Sequence, residues 1–145
     1  MLGNAARSAA RQARRGDSIM NERITPLNGT RVLIVEDEYY LADDLSRALV
    51  QAGAQVVGPI GTLDEATRQV DADGFDCAVV DMNLRGDFVF ALAERLRNAG
   101  MPFLIATGYN QDSLPSALVD VPRIEKPFAP HQVVEALAQI VEKSD

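Results

Sequence analysis

The chain has 145 residues, 47% apolar and 24% charged, with 14 Lys and Arg against 21 Asp and Glu for a formal net charge of −7. That length and balance suit one globular domain with a single core, and the acidic sum argues against a domain that binds nucleic acid. A single Cys and a single His exclude a disulfide framework, a multi-Cys zinc site and a His-rich metal site. No apolar run nears the ~18 residues of a membrane span, and with no secretory signal the expected compartment is cytoplasmic.

The charge is uneven. Residues 1–28 carry Arg7, Arg11, Arg14, Arg15 and Arg23 against only Asp17 and Glu22, so the remainder of the chain is more acidic than the total suggests. Their small, polar, basic composition predicts a disordered leader over 1–28. It ends at the turn-forming cluster Pro26-Leu27-Asn28-Gly29, and residues 29–145 form the domain.

From Gly29 onward the pattern is regular. Val32-Leu33-Ile34-Val35 reads as a buried strand, stopped by Glu36-Asp37-Glu38, where Glu38 adds helix-start charge. Tyr40, Leu41, Leu45, Ala48, Leu49 and Ala52 recur at helical spacing, with Gly53 as the stop. Gln55–Ile60 is a second extended segment, interrupted by Gly58-Pro59. Thr62 and Glu65 form a capping-box pair that opens a helix to about Ala72. Cys77–Val80 is a third strand ended by Asp81, and Phe88–Asn98 a third helix. Phe103–Ala106 is a fourth strand ended by Thr107-Gly108. A short strand over Pro122–Glu125 precedes Lys126-Pro127-Phe128, and Pro130 opens a last helix with Val133, Val134, Leu137, Ile140 and Val141 inward. Between Thr107 and Lys126 lie 18 residues interrupted by Pro115 and Pro122, so a fourth helix is short or missing.

Strands apolar on both faces, alternating with amphipathic helices, imply an α/β fold with a parallel sheet covered on both sides. Right-handed crossovers make it doubly wound, a flavodoxin-like (βα)5 arrangement of five parallel strands in the order 2-1-3-4-5. In such folds the working site lies at the carboxyl ends of the strands. Those ends carry Glu36 and Asp37, Asp81, Thr107 and Lys126. Three carboxylates brought together repel and raise one another's pKa, which a divalent cation relieves. Oxygen donors with no imidazole or thiolate favour Mg2+ over Zn2+. A carboxylate can act as a nucleophile toward phosphorus, and a hydroxyl and an ammonium suit the oxygens of a transferred phosphoryl group.

The motifs Val32-Leu33-Ile34-Val35-Glu36-Asp37-Glu38, Val79-Val80-Asp81-Met82-Asn83-Leu84, Ala106-Thr107-Gly108 and Lys126-Pro127-Phe128 resemble the receiver domain of two-component response regulators over about residues 30–142. The resemblance implies that Asp81 accepts the phosphoryl group. Glu36, Asp37 and Asp81 hold Mg2+ together with the backbone carbonyl of Asn83. Thr107 is the switch hydroxyl, and Lys126 pairs with the phosphoryl group. Asn83-Leu84-Arg85-Gly86-Asp87 and Pro102–Tyr109 further resemble the FAT GUY receivers, mostly single-domain regulators paired with HWE or HisKA2 kinases. Arg123 stands where common receivers carry an aromatic switch residue three positions before the Lys. Tyr109, two residues after Thr107, is the candidate replacement, with Gly108 as the hinge of the switch. Gly108–Val121 is then the segment expected to be mobile and to be ordered by phosphorylation.

The expected function is a single-domain response regulator in a phosphorelay. It takes a phosphoryl group from a sensor histidine kinase and signals by binding partners or passing the group to a downstream phosphotransfer or regulator protein. Such a protein is not a conventional enzyme; slow self-dephosphorylation is expected, in a monomer or weak homodimer without nucleic acid. Two other classes stay open: a small Mg2+-dependent phosphohydrolase, and a phosphate-independent interaction module. The haloacid-dehalogenase type of hydrolase wants Asp-x-Asp after its first strand, where this chain has Asp37-Glu38-Tyr39.

Overall fold

The computed structural model describes residues 25–84, 87–108 and 114–144. Seven strands alternate with four α-helices along them. These are β1 (Arg31–Val35), α1 (Tyr39–Gln51), β2 (Gln55–Ile60), α2 (Leu63–Ala72), β3 (Cys77–Asp81), β4 (Asn83–Leu84), β5 (Asp87–Phe88), α3 (Phe90–Asn98), β6 (Phe103–Thr107), β7 (Arg123–Glu125) and α4 (Pro130–Ser144). A 3-10 turn at Ser116–Leu118 lies between β6 and β7.

Five strands form one parallel sheet in the order β2-β1-β3-β6-β7, and β4 and β5 pair as a separate antiparallel hairpin. The alternation of the strands divides the core in two. Leu33 and Val35 of β1, Ala78 and Val80 of β3, and Phe103 and Ile105 of β6 face Ala66 of α2, Leu92 and Leu96 of α3, and Leu118. Val32, Ile34, Cys77, Val79 and Leu104 point the opposite way, onto Leu45 and Leu49 of α1 and Val133, Leu137 and Val141 of α4. Each fully buried Leu or Val contributes about 1.5–3 kcal/mol of transfer free energy. Both layers are needed because no face of the inner strands is hydrated.

The expected fold and strand order are therefore found, and two boundaries differ. First, the packed unit begins before Gly29. Leu27 is completely buried among the α1 and α4 side chains, and its N–H donates to the Ala52 carbonyl at 2.9 Å. The composition of the preceding residues hid this single apolar anchor. Gly53 makes the contact close. Its φ is +93°, and a Cβ there would lie 2.8 Å from the Asn28 Cα and 2.8 Å from the Thr25 Cβ. Second, residue 88 belongs to a strand, not to the third helix. Asn83 is paired with Phe88 in the hairpin, Val89 donates to the Met82 carbonyl at 3.2 Å, and α3 starts only at Phe90. Its apolar residues satisfy both periodicities over so short a run. The expected bounds of β2 are found: the strand runs through Gly58-Pro59 to Ile60, and its register against β1 shifts between Leu33 and Val35. The chain tolerates Pro there because β2 is an edge strand. The Thr62 cap is found: its side chain accepts from the Glu65 N–H at 3.3 Å. The helix expected to be short or missing between Thr107 and Lys126 is, among the described residues of that connection, a 3-10 turn.

Candidate functional site

The crevice at the carboxyl ends of the strands follows from the sheet order. β1 and β3 are neighbours, so Glu36 and Asp37, just past β1, come beside Asp81, the last residue of β3. One carboxylate oxygen from each of Glu36, Asp37 and Asp81 lies within 4.8 Å of the other two. β3 pairs Asp81 with Ala106, so Thr107 lies one residue beyond, at the end of β6. β7 then delivers Lys126, whose N–H donates to the Thr107 carbonyl at 2.7 Å.

Lys126 closes the cluster. Its Nζ lies 3.0 Å from Asp81 Oδ2, 3.0 Å from Glu36 Oε1 and 3.7 Å from Glu38 Oε1. The remaining carboxylate oxygens are held by the backbone. The Asn83 N–H donates to Asp81 Oδ1 and the Glu38 N–H donates to Glu36 Oε2, each at 3.0 Å. Glu36, Asp81 and Thr107 are all buried. Burial pushes the Glu36 carboxyl up to about 7, with the neighbouring Asp81 adding to the rise; the Glu38 N–H and Lys126 oppose it. For Lys126, burial disfavours the charge, but hydrogen bonds to Glu36 and Asp81 outweigh it and hold the ammonium above its usual range.

The structure thus brings Glu36, Asp37, Asp81 and Lys126 into one cluster, with Thr107 at its edge. Gly108 lines a neighbouring groove of about 420 Å³ with Glu38, Lys126 and Phe128. Among the described residues an added Cβ at Gly108 would meet nothing within 4 Å, and its φ is outside the left-handed region, so this conformation does not itself demand glycine. Tyr109 lies outside the described residues. Glu38 is the residue that sequence reasoning assigned to the helix alone. It is the N-cap of α1, but its side chain makes no capping hydrogen bond, and it reaches Lys126 instead. The signal was present in Glu36-Asp37-Glu38: Glu38 has extended backbone, and alternate residues of an extended run face the same way.

Residues 32–138 match the family model of the response regulator receiver domain. The chain belongs to this family. Receiver domains serve phosphoryl acceptance in two-component signalling and bind Mg2+ at an acidic pocket. This receiver is similar to the solution structure of SdrG from Sphingomonas melonis Fr1, with 38% identity and a TM-score of 0.67 over 77% of this chain and 96% of that one. It is also similar to the response regulator PhyR from Brucella abortus, with 26% identity and a TM-score of 0.69 over 91% of this chain and 56% of that one. A CheY-like receiver from Methanospirillum hungatei JF-1 shares the fold at 23% identity and a TM-score of 0.71, covering 79% of this chain and 95% of that one. No curated protein matches the chain. Among the described residues no helix is long and apolar enough to cross a membrane.

The donor set of this receiver suits Mg2+. Three carboxylates with no nitrogen or sulfur ligand are hard oxygen donors, and two of them are buried, where their mutual repulsion is largest.

Proposed function

We propose that Asp81 is the phosphoryl acceptor of a single-domain response regulator working in a phosphorelay. The observation that carries this reading is Lys126 Nζ at 3.0 Å from both Asp81 and Glu36. A half-buried ammonium already touches the acceptor carboxylate and stands ready for a more highly charged group. Asp81 attacks the phosphorus of a phosphohistidine on a sensor histidine kinase. The new O–P bond forms as the N–P bond breaks, and the imidazole leaves with a proton from solvent. The Asn83 N–H keeps one Asp81 oxygen oriented, and Lys126 neutralises charge on the phosphoryl oxygens. Thr107, ending β6 beside Asp81, is the hydroxyl that closes on the phosphoryl group, with Gly108 and Tyr109 following it. Mg2+ held by Glu36, Asp37, Asp81 and the Asn83 carbonyl supplies the remaining positive charge when bound.

The Asn83-Leu84-Arg85-Gly86-Asp87 and Pro102–Tyr109 motifs support membership of the FAT GUY group, whose kinases are of the HWE or HisKA2 type. The basic leader read over residues 1–28 lies outside this chemistry, with Leu27 of it packed into the domain. Incubation with acetyl phosphate and Mg2+, followed by intact mass, tests the reading. One added phosphoryl group, lost on omitting Mg2+ and absent in Asp81→Asn, is expected. Labelling that persists in Asp81→Asn overturns the acceptor assignment. Steady turnover of a generic phosphate ester would instead mark a hydrolase, and no labelling at all a phosphate-independent module.

A further inference from the structure

Of the four large apolar side chains exposed among the described residues, three lie on α1: Tyr39, Tyr40 and Val50, at 75%, 82% and 58% exposure. The helix already buries Ala42, Leu45 and Leu49 against the sheet, so these three add nothing to the core. The two rings hold a T-shaped arrangement, with centroids 5.3 Å apart and an interplanar angle of 87°, the geometry of a packed aromatic pair. On the outward face Tyr40, Asp44 and Arg47 follow one another at helical spacing, opposite the buried residues, and Val50 flanks them. Arg47 Nε lies 3.0 Å from Asp43 Oδ2, which steadies the guanidinium along the helix. Asp44 takes part in no ion pair among the described residues. The face thus carries an apolar group towards each end, with an unpaired acid and a base at its centre.

We propose that this face of α1 pairs with the same face of a second copy of the chain, the two helices running antiparallel. A twofold axis midway between Asp44 and Arg47 sets each Asp44 opposite the partner's Arg47, and each Val50 beside the partner's Tyr40. The pattern is its own complement. Reversing the helix exchanges acid with base and the aromatic end with the aliphatic one, whereas a parallel pair would set Asp44 against Asp44. A different partner would require no such internal symmetry. With 13 residues, α1 is about 20 Å long, so the contact falls at the small end of specific interfaces. Two chains of net charge −7 also repel each other at longer range. The dimer is therefore weak, with a dissociation constant of about 0.1 mM. The proposal does not depend on the acceptor reading, since Glu36, Asp81 and Lys126 all lie outside α1.

Sedimentation equilibrium of the full chain over roughly 10 µM to 1 mM should show a monomer–dimer equilibrium. Asp44→Lys and Arg47→Glu each place like charges opposite one another twice, and each should weaken the dimer about tenfold or more. An equimolar mixture of the two variants should recover the association of the parent as a heterodimer, because each supplies the charge that the other lacks. Tyr40→Ser should weaken the dimer about tenfold without shifting the thermal midpoint, because the ring is exposed. Amide shifts that grow with concentration should centre on Tyr39–Gln51. Asp81→Asn should associate as the parent does, which keeps a failure here separate from a failure of the acceptor assignment. A parent chain that stays monomeric throughout overturns the proposal and leaves the face to a different chain. Association unchanged in both charge variants, or a mixture that stays monomeric, overturns the antiparallel pairing.

Discussion

Two halves of the sheet feed the same crevice on unequal supports. β1 and β3, which deliver the carboxylates, are flanked by hydrogen-bonded strands on both sides and are buried almost throughout. The helices α1 and α2 that follow β1 and β2 have 13 and 10 residues. β7, which delivers Lys126, is a three-residue edge strand with Arg123 and Glu125 exposed. The described part of the connection from β6 to β7 contains a single 3-10 turn. The acids and the Thr107 hydroxyl are thus held by inner, buried strands, while the ammonium is carried by a thinner part of the fold. A cation-binding cluster is preorganised where reorganisation is costly, while the ammonium sits where the chain can move with little loss of packing.

The largest expected effect tests this division at the ammonium. Lys126→Ala should slow labelling by acetyl phosphate about 100-fold or more, the scale of losing one well-placed charge donor. Mg2+ affinity should hold or rise, since the competing cation is gone. Equal losses of both would mean that Lys126 supports the acids structurally. Next is a pair of core truncations. Leu45→Ala, under the β1–β3 half, should cost about 3 kcal/mol, and Leu118→Ala about 2 kcal/mol, because the turn can collapse onto the space left. Denaturant unfolding measures both, and a larger loss at Leu118 would invert the comparison.

The third expectation concerns pH. In the metal-free protein the Glu36 carboxyl titrates near 7, above its ordinary 4.5. A folded value raised above the unfolded one stabilises fully below pH 4.5, and that contribution fades as pH rises through 7. The loss is on the order of 3 kcal/mol. Unfolding at pH 5 and 7.5 without divalent metal should show it, and Glu36→Gln should remove it. Mg2+ binding should run oppositely, tightening from pH 6 to 8 as Glu36 gives up its proton. The smallest effect is at the amino terminus. Deleting 1–24 should leave labelling within a few-fold, whereas deleting 1–28 also removes Leu27 and should lower the unfolding midpoint clearly.

The sequence shows the sheet plainly because β1, β3 and β6 are buried on both faces, so each reads as an uninterrupted apolar run that ends in a polar residue of the crevice. Glu36, Asp37, Asp81 and Thr107 were legible for that reason, standing where a buried strand stops, whereas Lys126 follows a β7 whose ends are exposed and was legible from the Lys126-Pro127-Phe128 motif. Short elements were not legible in the same way. Asn83–Phe88 is too brief for a period to declare itself, so its second strand passed for a helix start. Leu27 is a lone apolar residue in a turn-forming cluster, and nothing local marks it as core. Glu38 could be read as helix charge because one residue served two descriptions, and only the position of Lys126 separates them.

The sheet order also sets the sequence in which the site comes into being during synthesis. β1 and β3 can pair once the chain has reached Asp81, which gathers Glu36, Asp37 and Asp81 while Lys126 is still 45 residues away. A growing chain at that stage holds three carboxylates without their ammonium, and a divalent cation is the neutralising charge left to it. Mg2+ is therefore the charge available to that stage of the chain, and the arrival of β7 adds a covalently attached counterion beside the site it would occupy.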